Sequence, residues 1–168
     1  MTEPKLFPIN SLLMAFLFAY SASVQLNDPD WYFWLPLYTF ASAINLINFG
    51  RYKQSQEIQN IARLDLLLGI FLFMKVVIED YVYELAGFSS MDFGQRVVRE
   101  KTGSGLVVIS MLLQLLSSSD QSTKGNTKKI KVVPRYVNYG MALLVILSYS
   151  IPLVFFVFLK GEIEDLRR

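Results

Sequence analysis

Four stretches of this chain run for 18 to 24 residues without a charged side chain: 6–27, 31–50, 102–119 and 136–159. A helix needs about 20 residues to cross the roughly 30 Å hydrocarbon core of a bilayer. In 168 residues of which 18% are charged, four such gaps mark a membrane protein. Hydrocarbon admits only backbones that satisfy their own hydrogen bonds, as helices and closed barrels do. A barrel strand would alternate apolar and polar side chains, whereas Leu143-Leu144-Val145-Ile146-Leu147 is apolar on every face. The fold class that follows is all-α, a polytopic membrane bundle of about five transmembrane helices in one domain over 1–168.

The fifth helix is the apolar stretch Leu64–Ile78, which contains Asp65 and Lys75. Asp65 sits at its start, where an acid suits the positive end of a helix dipole. Lys75 lies one turn before Glu79 and has a stem long enough to snorkel to the interface. The expected helices are about 7–27, 31–50, 64–84, 103–119 and 136–159. An interfacial rather than spanning helix is the alternative for the third. Ser21-Ala22-Ser23 imitates a signal-peptide cleavage site, but a single preceding Lys and a long apolar run favour a retained helix.

Basic residues in the loops set orientation. With five crossings and the N-terminus in the cytoplasm, the inner loops hold nine Lys and Arg and the outer loops six. The cytoplasmic loop 120–135 then carries Lys124, Lys128, Lys129, Lys131 and Arg135. This patch is a topology signal and also attracts anionic lipid, at about 1 kcal/mol per basic residue. Trp31, Tyr32, Phe33 and Trp34, with Tyr81 and Tyr83, are expected to form an aromatic belt at the opposite interface.

The composition closes several functional classes. The chain has no Cys and no His. Thiol chemistry, His-based triads and nearly all zinc and haem sites are therefore out, and no cofactor and no metal site is expected. A net charge of +2 gives no reason to expect a nucleic-acid partner.

Polar chemistry gathers at one interface. Asn27-Asp28-Pro29-Asp30 joins the first two helices. Asp-Pro favours a turn, and Asp30 is placed to cap the helix that follows. Lys75, Glu79, Asp80, Arg96, Arg99 and Glu100 fall on the same side in a five-crossing topology. Acids so close to hydrophobic sequence need hydration or partners. Lys75 is expected to reach Asp28 or Asp30. Asn27, Asp28, Asp30, Lys75, Arg99 and Glu100 thus form a candidate cluster, binding or structural. No EF-hand spacing supports a cation site. No matching nucleophile accompanies the acids, so no catalytic residue is assigned.

Leu13-Met14-Ala15-Phe16, the string Val24-Gln25-Leu26-Asn27-Asp28-Pro29-Asp30, and Trp34 with Tyr38 resemble the first hairpin of the transmembrane protein 220 family. Arg99-Glu100 followed by Gly105-Leu106-Val107-Val108-Ile109 resembles that family's second motif, with longer spacing here. Ser117-Ser118-Ser119 and a final apolar helix also fit. The resemblance implies a small multi-pass membrane protein and brings no activity or substrate. A contact of Arg99 with Asp28 or Asp30 would join the two motifs.

The function expected is structural or accessory, in an integral membrane protein of unknown activity. The first competitor is an oligomeric transporter or channel, which needs Gln25, Asn45, Asn48 and Gln114 to face one another. The second is a lipid-acting enzyme with Asp28, Asp30 and Glu100 around a headgroup. The bilayer is the expected partner. Small residues such as Ser21, Ser23, Ala41, Ser42, Ala43 and Gly140 permit close packing within the bundle, or against a second copy or another membrane protein.

Overall fold

Each apolar run folds as a helix, because a charge-free segment of this composition has no other way to bury its backbone in hydrocarbon. A computed structural model describes residues 6–50, 55–83, 95–119 and 133–154. Five helices make up these residues: α1 (Leu6–Gln25), α2 (Trp31–Gly50), α3 (Gln56–Tyr83), α4 (Arg96–Ser119) and α5 (Arg135–Val154). No strand occurs among them. The protein is an all-α integral membrane bundle.

Two helices begin earlier than hydropathy alone predicts. α3 starts at Gln56 rather than near 64, because Ser55 caps it: the Ile58 N–H donates to Ser55 Oγ at 3.4 Å and the Gln59 N–H to the Ser55 carbonyl at 3.2 Å. α4 starts at Arg96 rather than near 103. Its charged first turns stay helical because their charges find partners on other helices. α1 ends at Gln25, two residues early, where the Asp28 N–H donates to the Gln25 carbonyl and opens the turn into α2. The expected ends at 84 and 159 lie outside the described residues, as does most of the basic loop 120–135.

Three helices are long and apolar enough to cross a membrane by length and composition: α1, α4 and α5. α2 is uncharged, but its Trp, Tyr and Asn side chains lower its hydropathy. α3 carries Arg63, Asp65, Lys75, Glu79 and Asp80.

The helices close a ring in which α1 packs on α2, α2 on α3, α3 on α4, α4 on α5 and α5 on α1, with α2 also touching α4. Met14, Phe18, Trp34, Leu37, Leu72, Val107, Met111 and Met141 fill the interior. The outer faces carry Phe16, Leu64, Leu67, Phe71, Leu143 and Ile146 in the open. A continuous apolar exterior of this kind suits lipid rather than water. Small residues let the backbones approach: Ser42 Oγ on α2 donates to the Ala15 carbonyl on α1 at 2.8 Å, and Leu113 packs against Gly140. Ser23 instead bonds its own helix, at the Tyr20 carbonyl.

Candidate functional site

The turn between α1 and α2 sets the site. Backbone bonds from Trp31 N–H to the Asp28 carbonyl and from Phe33 N–H to the Asp30 carbonyl lead the chain into α2. Asp30 is therefore fixed at the helix start, but its carboxylate does not turn back as a cap among the described residues. It accepts from Trp34 Nε1 at 3.1 Å and faces α3 and α4. Trp34, four residues on, is fully buried, while Trp31, Tyr32 and Phe33 are exposed. Of the four α2 aromatics expected in a belt, three are exposed, and the fourth is buried and anchors an acid.

Around Asp30 stand Lys75 of α3, with Nζ 3.9 Å from Oδ2, and Arg96 of α4, with Nη1 3.4 Å from Oδ1. Glu79 lies 3.6 Å from Lys75 Nζ and 3.6 Å from Arg96 Nη2. Arg96 Nε is 3.3 Å from Glu100 Oε1, one turn along the same helix. Beside them Lys101 Nζ donates to Asp80 Oδ2 at 2.8 Å, in a pair that is nearly buried. Three helices are thus tied at one rim by three carboxylates and two cations, with the Lys101–Asp80 pair adjoining. Arg96 is the hub: it faces all three carboxylates.

These contacts differ in worth. The side chains of Lys75 and Arg96 are about one-third exposed, so each of their pairs contributes on the order of 0–1 kcal/mol. Glu100 is different. It is 1% exposed, and neither carboxylate oxygen makes a hydrogen bond. Its charge is offset through Arg96, and such groups are expensive when their partner goes.

Asp28 is half-buried and Asn27 exposed, and neither side chain joins an ion pair among the described residues. From α3, Lys75 turns to Asp30. From α4 it is Arg96, not Arg99, that comes to Asp30. Arg99 is one helical turn on and faces away, lining a cleft toward α1 and α5. Of the basic patch, Lys124, Lys128, Lys129 and Lys131 lie outside the described residues, and Arg135 is the exposed first residue of α5. The i,i+4 spacing of Arg96 and Glu100 was the available signal for Arg96. A charge-rich reading of residues 86–101 as loop hid it.

A second polar set lies inside the bundle. Asn45 Nδ2 donates to the Ala41 carbonyl at 2.9 Å and to Ser110 Oγ at 3.1 Å. Gln114 Nε2 donates to Asn45 Oδ1 at 2.7 Å and to Ser11 Oγ at 3.1 Å. Asn48 Nδ2 donates to Gln114 Oε1 at 2.6 Å. These residues of α1, α2 and α4 are all buried. Asn45, Asn48 and Gln114 face one another, whereas Gln25 sits apart at the end of α1 with an unpartnered Oε1. Asp65 of α3 is also buried, with no hydrogen-bond partner on either oxygen.

Among the described residues no group of three or more Asp and Glu could hold a metal ion. The arrangement cross-links helices: charges at one rim, amides deeper in the bundle.

A family model described as "Transmembrane family 220, helix" matches residues 17–116, which is 100 of the 168. The match runs from α1 through most of α4 and takes in the Asn27–Asp30 turn, Lys75 and the Arg96–Glu100 turn. No curated protein and no solved structure matches the chain.

Proposed function

The chain belongs to transmembrane family 220, and from that membership we propose that it is a five-crossing structural or accessory component of its membrane. The supporting observation is that three buried amides, Asn45, Asn48 and Gln114, bond to one another. Asn45 Oδ1, Asn48 Nδ2 and Ser11 Oγ all converge on Gln114, so these groups stitch helices together rather than lining a path. Hydrogen bonds between membrane helices contribute about 0.6 kcal/mol each, up to about 2. Gln114→Leu breaks three of them and leaves buried partners unsatisfied, and is expected to lower stability in detergent by about 2 kcal/mol. Liposomes reconstituted with the protein are expected to show no solute flux. Flux that Gln114→Leu abolishes without loss of stability would favour the oligomeric channel instead.

Five crossings require α2 and α3 to span as well. The bundle supports this: α2 packs on α1, α3 and α4, and α3 pairs along α4. Lys75, Glu79 and Asp80 of α3 are paired with side chains of α2 and α4, and Asn45 and Asn48 of α2 with α4, as polar groups within membrane helices require. Because the chain has no Cys, single cysteines can be placed without removing any. With the N-terminus cytoplasmic, an impermeant maleimide is expected to label Asn27→Cys and Tyr83→Cys from outside. Ser55→Cys and Arg135→Cys should react only after permeabilisation. Positions 27 and 83 reacting from opposite compartments would sink this topology.

A further inference from the structure

One stripe of α3 is buried: Ala62, Asp65, Gly69, Leu72, Val76 and Asp80 recur at steps of three and four residues. It carries two acids with different surroundings. Asp80, at the rim, has Lys101 Nζ 2.8 Å away. Asp65, near the other end, is 2% exposed, and neither of its oxygens has a hydrogen-bond partner.

Helix register fixes the level at which Asp65 lies. Asp80 meets Lys101, Phe73 lies against Gly105, and Gly69 faces Val107 and Val108, so α4 runs antiparallel to α3. Lys75 reaches Asp30 and Gly69 faces Leu37, so α2 runs antiparallel to α3 as well. One turn before Gly69, Asp65 therefore stands level with Met111 of α4 and Ala41 of α2. Gln114 and Asn45 follow one turn on, so the acid adjoins the layer of bonded amides.

The helices packed on α3 are α2 and α4. α2 has no charge from Trp31 to Gly50, and its Tyr38 points to Gly103, toward the rim. α4 has no titratable group from Thr102 to Ser119. On α3 itself, Arg63 is exposed and lies two residues away, about 200° around the helix. Lys75 is about 15 Å further along and pairs with Asp30 and Glu79. Among the described residues Asp65 thus has no counter-ion. An ionised carboxylate kept from water without a partner is so costly that the group takes up a proton instead.

We propose that Asp65 is a proton-binding site inside the bundle, occupied while α3 is seated on α2 and α4. Seating and proton occupancy are then reciprocal: drawing α3 away releases the proton, and losing the proton loosens α3. The ionised acid would compete for the N–H groups of Asn45 and Gln114, which otherwise serve the amide layer.

Infrared spectroscopy of the full chain in an ester-free detergent tests the occupancy. At neutral pH the wild type is expected to show the C=O stretch of a protonated carboxyl, shifted in D2O and missing from Asp65→Asn. Reversible unfolding in the same detergent tests the coupling. A proton held only by the folded form lowers the folding constant by up to tenfold per pH unit above the ordinary aspartate pKa of about 4. The folding constant of the wild type, divided by that of Asp65→Asn, should fall accordingly as pH rises. Sodium and potassium chloride should act alike. The proposal is overturned if Asp65→Asn removes a carboxylate band instead, or if the ratio stays flat or rises with pH. It is overturned too if one alkali ion alone stabilises the wild type, or if Asp65→Asn, an uncharged isostere, does not fold. Protein rather than lipid encloses Asp65, so these readouts stand whether or not α3 crosses the membrane.

Discussion

Gly103→Val is expected to yield no folded protein, and Gly103→Ala to be destabilised by about 1–3 kcal/mol. The cause is one contact. A Cβ built on Gly103 would overlap Tyr38 Oη and lie 3.1 Å from its Cζ. Tyr38 has little room to withdraw: it is 2% exposed, with its ring stacked 6.4 Å from Phe18 and 6.3 Å from Trp34, centroid to centroid. Inside a helix an alanine gains about 0.5–1 kcal/mol over a glycine. The clash exceeds that gain, so the sign is unfavourable. Removing the phenol oxygen removes the overlap, so Gly103→Ala combined with Tyr38→Phe should recover most of the lost stability. Thermal melting in detergent checks all three variants. An alanine tolerated without the second change would mean that α2 and α4 stand further apart.

Arg96→Gln carries the other large effect. The substitution leaves Asp30, Glu79 and Glu100 facing Lys75 alone as a cation within their cluster. Removing one partner of a fully buried ion pair costs about 3–5 kcal/mol. Arg96 is itself about one-third exposed, and solvent screening reduces the expected loss to roughly 2–3 kcal/mol. Most of that loss is the uncompensated charge of Glu100, which is buried with no hydrogen bond. Arg96→Gln with Glu100→Gln should therefore be more stable than Arg96→Gln alone. A non-additive cycle of this sign, read by thermal melting in detergent, locates the burden on Glu100. Strict additivity would place it on the more exposed Asp30 and Glu79.

Asp30 and Arg96 also show where a reading of one sequence runs out. A carboxylate at the start of a helix ordinarily caps it, and proximity along the chain favoured that reading of Asp30. The structure turns this carboxylate to Trp34, Lys75 and Arg96, of which Arg96 is 66 residues away. Arg99, adjacent to Glu100, was the natural candidate for the pairing. One turn of helical phase decides for Arg96, and that phase depends on α4 beginning in a segment rich in charge. Asn45, Asn48 and Gln114 were visible as polar residues near helix ends, but their convergence was not.

The charge-free intervals by themselves determined that this chain is a helical membrane protein, and they placed α1, α2 and the start of α5 to within two residues, whereas α3 and α4 begin seven or eight residues earlier than expected. Partition between water and hydrocarbon is a local property, summed over about 20 neighbouring residues, so a linear sequence records it directly. Which polar side chains meet was decided only by tertiary packing. A shift of one residue turns a helix by about 100°, and the partners come from helices far apart in the chain. Rotation and register together select Arg96 for Asp30 and Gln114 for Asn45, and set Gly103 against Tyr38.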